Sequence, residues 1–172
     1  MSLEGKRIVV LVEDEYEDQE LWYPYYRLLE AGAQVTLVGP KAESYSSKHG
    51  YPAKAERAAT EVNAGNYDGI VIPGGYAPDK LRRYQAVLDL VKGIFDKGGV
   101  VAFICHAGWV PISAGIVSGK RTTGVSAIKD DLVNAGATFI DEAAVVDGGL
   151  VSSRSPADLP QFLPAIIEAL GG

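Results

Sequence analysis

One cysteine, one methionine and two histidines are all that this 172-residue chain offers to sulfur and imidazole chemistry. A single cysteine excludes an internal disulfide and a multi-cysteine metal site. Two histidines, His49 and His106, are too few for a His-rich metal centre, so we expect no metal and no cofactor. Positive charge is scarce as well. Sixteen Lys and Arg against 22 Asp and Glu leave a net charge of −6, which argues against nucleic acid or an anionic membrane surface as the primary partner. Long apolar runs are missing. The run at residues 8–12 is too short for a signal-peptide core, and no stretch approaches the ~20 apolar residues of a membrane span. The expectation is a cytoplasmic protein with no membrane partner, where a lone thiol stays reduced.

What is present is ordinary for a globular protein: 47% of residues are hydrophobic and 22% charged, enough for one sizeable core. No repeat, low-complexity tract or linker interrupts the chain, which reads as a single domain over residues 1–172. Short β-branched runs alternate with amphipathic stretches. "RIVVLV" (7–12), "AQVTLVG" (33–39), "YDGIVIPGG" (67–75) and "VVAFI" (100–104) read as strands. Between the first two, Leu21, Tyr25, Leu28 and Leu29 recur at helical spacing; Pro24 inside that stretch predicts a kink or a late helix start. Val87, Leu90, Val91, Ile94 and Phe95 mark a helix that stops at Gly98-Gly99. "IKDDLVNAGA" reads as a further helix, "ATFI", "AAVVDG" and "LVSS" as short strands. In the closing helix Ser155 is placed to cap and Pro156 to take the first helical position. Alternation of this kind with near-continuously apolar strands indicates a parallel sheet covered on both faces. The polar segment at 39–60 has room for a small hairpin around "KHGY".

In such a sheet, ligands bind beyond the carboxyl ends of the strands. Three segments there carry reactive residues: "VEDEYEDQE", "PGGYAPD" and "CHAGW". Cys105 directly follows an apolar strand, and small residues follow it before a helical pattern resumes. That is the arrangement of a nucleophile elbow, and a helix N-terminus lowers a thiol's pKa. Free cysteine is also among the most buried and inert residue types, so the local pattern alone leaves packing and nucleophile open. The paired glycines of "IPGGYAP" serve either as a tight turn or as a loop that aims the Gly75 N–H at an oxyanion. The acids of "EYEDQEL" read as a solvated helix start, with room for one buried, protonated carboxyl beside the thiol.

Taken together, "EYEDQELWYPYYRLLEAGAQV", "SKHGY", "DGIVIPGGYAPDKLR", "VAFICHAG", "SAGIVSGKR", "IKDDLVNAGA" and "VVDGGLVSSRSPADL" resemble, in order and spacing, the PfpI family. This is the intracellular-protease-like branch of the superfamily that includes the parkinsonism-associated deglycase. The resemblance implies a flavodoxin-like three-layer α/β sandwich with Cys105 as nucleophile on a strained elbow. It implies Glu17 as the buried carboxyl touching the sulfur, and the N–H groups of Gly75 and His106 as the oxyanion site. His106 is then the acid–base partner, oriented by an acid from a neighbouring subunit of a dimer or hexamer. Asp79 stands where the family often has glutamate. Two further departures are "CHAG" in place of "CHGP" and Val125 in place of an aromatic residue before "IKDD".

The leading functional expectation is a cysteine-dependent, stress-protective enzyme acting on small reactive carbonyls or glycated adducts, by deglycase or glyoxalase III-like hydrolysis. Alternatives are an intracellular cysteine peptidase and, outside catalysis, a redox-sensing or chaperone-like protein. Glutamine amidotransfer needs a histidine late in the chain, and none follows residue 106. His49 and Arg154 read as structural residues. Trp22, Tyr23, Tyr25 and Tyr26 stand too close along one helix to share a core, which suggests a subunit contact.

Overall fold

The computed structural model describes residues 2–172. Its first strand, β1 (Arg7–Leu11), is buried at four of five positions because helix layers cover both its faces. Helix α1 (Asp18–Glu30) follows, then β2 (Gln34–Gly39), the hairpin β3 (Ser44–Ser46) and β4 (Pro52–Lys54), and β5 (Arg57–Ala58). The middle of the chain supplies β6 (Gly69–Ile72), α2 (Ala77–Leu81), α3 (Gln85–Asp96), β7 (Val100–Ile104) and α4 (Trp109–Ser113). The last third adds β8 (Arg121–Thr122), α5 (Lys129–Asn134), β9 (Thr138–Phe139), β10 (Ala144–Asp147), β11 (Leu150–Ser153) and α6 (Leu159–Ala169).

Seven strands form one sheet in the order β10-β11-β7-β6-β1-β2-β5. All pairs are parallel except β10 with β11. Parallel neighbours need crossovers, and the helices that make them cover the faces. Helices α1 and α6 pack together on one face, while α2, α3 and α4 pack on the other. The strand order reverses between β1 and β6, since β2 lies on one side of β1 and the later strands lie on the other. That reversal opens a crevice at the carboxyl ends of β1 and β6. β7 and β6 are buried along their whole length, as the unbroken apolar runs require.

Several local expectations change. Helix α1 begins at Asp18, well before Pro24, and runs through the proline. Its start is set by Glu17, whose side chain accepts the Glu20 N–H at the helix mouth. That cap outweighs the single backbone bond that Pro24 removes. Leu29 lies on the solvent side at 40% exposure, and the buried stripe is Glu20, Leu21, Pro24 and Leu28. Ser155 makes no side-chain cap: residues Pro156–Asp158 form a 3-10 turn, and α6 proper starts at Leu159. The hairpin around "KHGY" is present, with Tyr45 opposite Ala53.

Candidate active site

Cys105 is the residue immediately after β7, and its φ is +62°. A side chain with a Cβ pays steric strain there, on the order of 1–2 kcal/mol. Among the described residues only one other non-glycine, Glu15, has a positive φ, +65°, and it lies on the loop facing Cys105. Strand β7 fixes the cysteine from one side. From the other, its carbonyl accepts the Val125 N–H at 3.2 Å.

The close approach of three chain segments around the sulfur explains the two glycines after β6. A Cβ on Gly74 would stand 2.8 Å from the Cys105 Cβ and 3.0 Å from the Ile104 carbonyl, and would collide with the Glu20 carboxylate. Gly75 has φ +76°, and a Cβ there would stand 2.6 Å from the Glu17 nitrogen. Tyr16 bridges this turn to the hairpin, pairing its backbone with both Gly75 and Ser47. The backbone N–H groups of Gly75 and His106, the two that the resemblance implies as oxyanion donors, both point to the Cys105 sulfur.

The carboxyl beside the sulfur is Glu20, not Glu17. Glu20 is fully buried, and its Oε2 accepts the Gly74 N–H at 2.7 Å. Its Oε1 has no partner of good geometry; the polar group next to it is the Cys105 thiol. Glu17 is the helix cap, accepting the Glu20 N–H at 2.9 Å, with Lys48 Nζ 3.8 Å from its other oxygen. The register of α1 explains the correction. Residues 20, 24 and 28 share one buried stripe at i, i+4, i+8, whereas a capping residue turns its carboxylate back to the helix mouth.

Burial first, and the Glu17 charge second, push the Glu20 pKa up to about 8. Glu20 is therefore protonated at neutral pH. Burial and then the Glu20 charge push the Cys105 thiol up to about 12, against the N–H groups of His106 and Gly75. The local helix gives the expected lowering of the thiol little support. Residues Cys105–Gly108 form a 3-10 turn and α4 spans five residues, too short for a strong dipole. The Glu20 repulsion acts only through its ionised form. Below pH 8 the neutral carboxyl becomes a hydrogen-bond donor to sulfur.

His106 Nδ1 lies 3.4 Å from Cys105 Sγ. Burial, then Lys48, lower its pKa, leaving a neutral imidazole at pH 7. No carboxylate of the same chain orients it among the described residues. Asp79, in the first turn of α2, is paired instead with Arg83 at 2.5 Å. The site opens into a cavity of about 400 Å³ lined by Glu17, Glu20, Lys48, Gly75, Tyr76, Cys105, His106, Trp109 and Pro156. Lys48 is a lining residue that the sequence did not single out. Its signal was its place in "SKHGY", the segment that the hairpin carries to the site.

His49 is exposed and bonds Asp18 at 2.7 Å. One ligand atom each from Glu17, Asp18 and His49 lie within 4.8 Å of one another, a grouping that this hydrogen bond between hairpin and α1 accounts for. Arg154 clamps Asp158 at 2.8 Å and Asp141 at 3.0 Å, a structural role. Among the described residues, no helix is long and apolar enough to cross a membrane.

Known proteins resemble this chain in sequence and in fold. The family model described as DJ-1/PfpI matches residues 6–169. The chain belongs to the DJ-1/PfpI family. A deglycase of Pyrococcus abyssi is 41% identical over 95% of this chain and 99% of its own. YraA of Bacillus subtilis, named as a candidate cysteine protease, is 37% identical over 92% of this chain and 94% of its own. Among solved structures, Drosophila melanogaster DJ-1beta superposes with a TM-score of 0.90 at 30% identity, covering 100% of this chain and 92% of that one. The mostly parallel, helix-flanked sheet is thus the flavodoxin-like fold of this family.

Proposed function

We propose that the chain is a cysteine-dependent enzyme acting on small reactive carbonyls or on the glycated adducts they form. The observation that carries this reading is Cys105 itself. It is held at φ +62° beyond β7, with two backbone N–H groups aimed at its sulfur and the buried Glu20 carboxyl beside it. Inert packing needs neither the strained backbone nor the convergent donors. The thiol adds to the aldehyde carbon by a relay through neutral Glu20, which takes up the thiol proton and gives its own to the carbonyl oxygen; the charge developing there meets the N–H groups of Gly75 and His106. Neutral His106 serves as the base for later proton movement. Relatives named deglycase support the substrate class.

Self-association belongs to this reading. Among the described residues His106 has no carboxylate partner in its own chain, and Asp79 of a second copy is our candidate. Trp22, Tyr23, Tyr26 and Tyr51 line an open groove of about 680 Å³, and Tyr26 is 61% exposed, an apolar face suited to a subunit contact. Light scattering tests it: a strict monomer with full activity removes this part.

The deciding experiment measures lactate formed from methylglyoxal and amine released from a methylglyoxal-glycated peptide, for wild type and Cys105→Ser. We expect turnover by wild type and a loss of at least about 10³-fold in the variant. Peptide-bond cleavage in place of carbonyl turnover favours the cysteine peptidase reading. Peroxide oxidation of Cys105 without turnover of either substrate favours redox sensing.

A further inference from the structure

Lys48 sits in the turn between β3 and β4, and its place at the site is fixed by its backbone. Its N–H donates to the Tyr16 carbonyl at 3.0 Å, and Tyr16 is the fully buried residue whose backbone also pairs with Gly75. One residue therefore ties the lysine to the loop that carries an oxyanion donor. The ammonium is not used up. Glu17 Oε1 at 3.8 Å is its nearest carboxylate, beyond hydrogen-bond reach, and among the described residues Nζ makes no hydrogen bond. It lines the cavity that Cys105 and His106 share, and is the one permanent cation among the described lining residues. Its charge favours the anionic forms of Cys105 and Glu20 and the neutral form of His106.

A cation with unspent donors facing a nucleophile that already has two oxyanion donors suggests a second site of developing negative charge. We propose that Lys48 holds the second carbonyl oxygen of a 1,2-dicarbonyl substrate and so makes the Cys105 site selective for that class. The inference rests on the carbonyl reading above. Cys105 sulfur bonds to the aldehyde carbon C1, and the C1=O1 pair moves to O1, which gains the thiol proton by way of Glu20. His106 then removes the C1 hydrogen. The C–H pair becomes the C1=C2 bond, and the C2=O2 pair moves onto O2, where the enediolate charge faces Lys48. The proton held by His106 returns to C2, and the O1 proton passes to O2, leaving a thioester of Cys105. Water cleaves it to the 2-hydroxy acid and the free thiol. Methylglyoxal plus water thus gives lactic acid with no change in overall oxidation level. A monoaldehyde has no O2 and stops at the adduct.

The test separates adduct formation from turnover in wild type, Lys48→Met, Lys48→Gln and Lys48→Arg, with methylglyoxal as the probe. Adduct formation is read as protection of Cys105 from iodoacetamide, turnover as kcat for lactate, and folding as melting temperature. We expect Lys48→Met and Lys48→Gln to keep protection within about 3-fold and to lose kcat by about 10²-fold, the scale of one oxyanion donor. Lys48→Arg should recover part of kcat. Unchanged kcat in the neutral variants overturns the proposal. So does a parallel loss of protection and kcat, which would assign the lysine to thiol activation or to the fold. Wild type that forms no lactate overturns the carbonyl reading itself, and this inference with it.

Discussion

The two ends of strands β1, β6 and β7 differ in how they hold the chain. At the amino ends, Arg7 and Asp68 exchange bonds, with the Arg7 N–H to Asp68 Oδ2 at 2.8 Å and the Asp68 N–H to the Arg7 carbonyl at 2.8 Å. The turn there contains Gly98, at φ +88° with nothing within 4 Å of a would-be Cβ. This is helix-terminating chemistry with space around Gly98, although Gly99 beside it is packed against Ile94 and the Asp68 carbonyl. At the carboxyl ends the turns are crowded. Gly74 is boxed in by Cys105, Ile104 and Glu20, and both non-glycine residues of positive φ are here. Among the described residues, a side chain is thus forced into the left-handed region only at the carboxyl ends, and one of the two that are is Cys105. Strain of this kind persists only where the surroundings over-determine it.

The largest test of that contrast is Gly74→Ala. Its added methyl must displace Glu20 or Cys105, because the other neighbour is the Ile104 backbone. We expect carbonyl turnover to fall by about 10²-fold or more, with a lower melting temperature. Retained turnover would show that the crowding has no catalytic value. Glu20→Leu comes next. It fills the buried site but removes the carboxyl beside sulfur, and turnover should fall by about 10²-fold, within the range of general acid–base contributions.

Glu20 also gives a pH test of stability. Its folded pKa, about 8, lies above the ordinary 4.5, so the folded state binds a proton that the unfolded state has lost between those values. The contribution of Glu20 to stability is fully present below about pH 4.5 and is lost as pH rises through 8. Glu20→Gln should flatten this part of the profile: melting temperatures of wild type and variant should converge at low pH, and the variant should melt higher at pH 9. Parallel profiles would place the Glu20 proton elsewhere.

Smaller effects follow. Asp79→Ala breaks an exposed pair with Arg83, worth under about 1 kcal/mol. If Asp79 orients His106 across a subunit contact, carbonyl turnover should fall by up to about 10-fold and any peptide cleavage should vanish, because a poor amine leaving group needs an oriented imidazole. Equal losses in both assays would mean one His106-dependent route serves both. Gly98→Ala closes the contrast. It should cost about 1 kcal/mol of stability through its positive φ, measured by denaturant melts, and leave kcat unchanged.

The fold was legible in the residues that repeat. Residues 100–104 and 8–12 are apolar without interruption, and only a sheet covered on both faces buries such runs. Val87, Leu90, Val91 and Ile94 did the same for α3. Cys105 was legible as well, because a lone thiol between a buried strand and small residues is a local pattern. Glu20 was half legible: its i, i+4, i+8 stripe with Pro24 and Leu28 was there to be read, but neighbouring acids of one cluster look alike until the helix start is known. One residue of offset at the cap decides which carboxyl turns inward. Lys48 was hidden, since hydrophobic periodicity says nothing about where a polar hairpin folds back. Residue order alone thus determined the sheet, its crossovers and the position of the thiol, because those depend on burial patterns within each segment. Tertiary structure decided which acid is buried beside sulfur, the direction of the thiol's pKa and the lysine in the cavity. Each of these depends on the desolvation and charge that distant segments bring to one point.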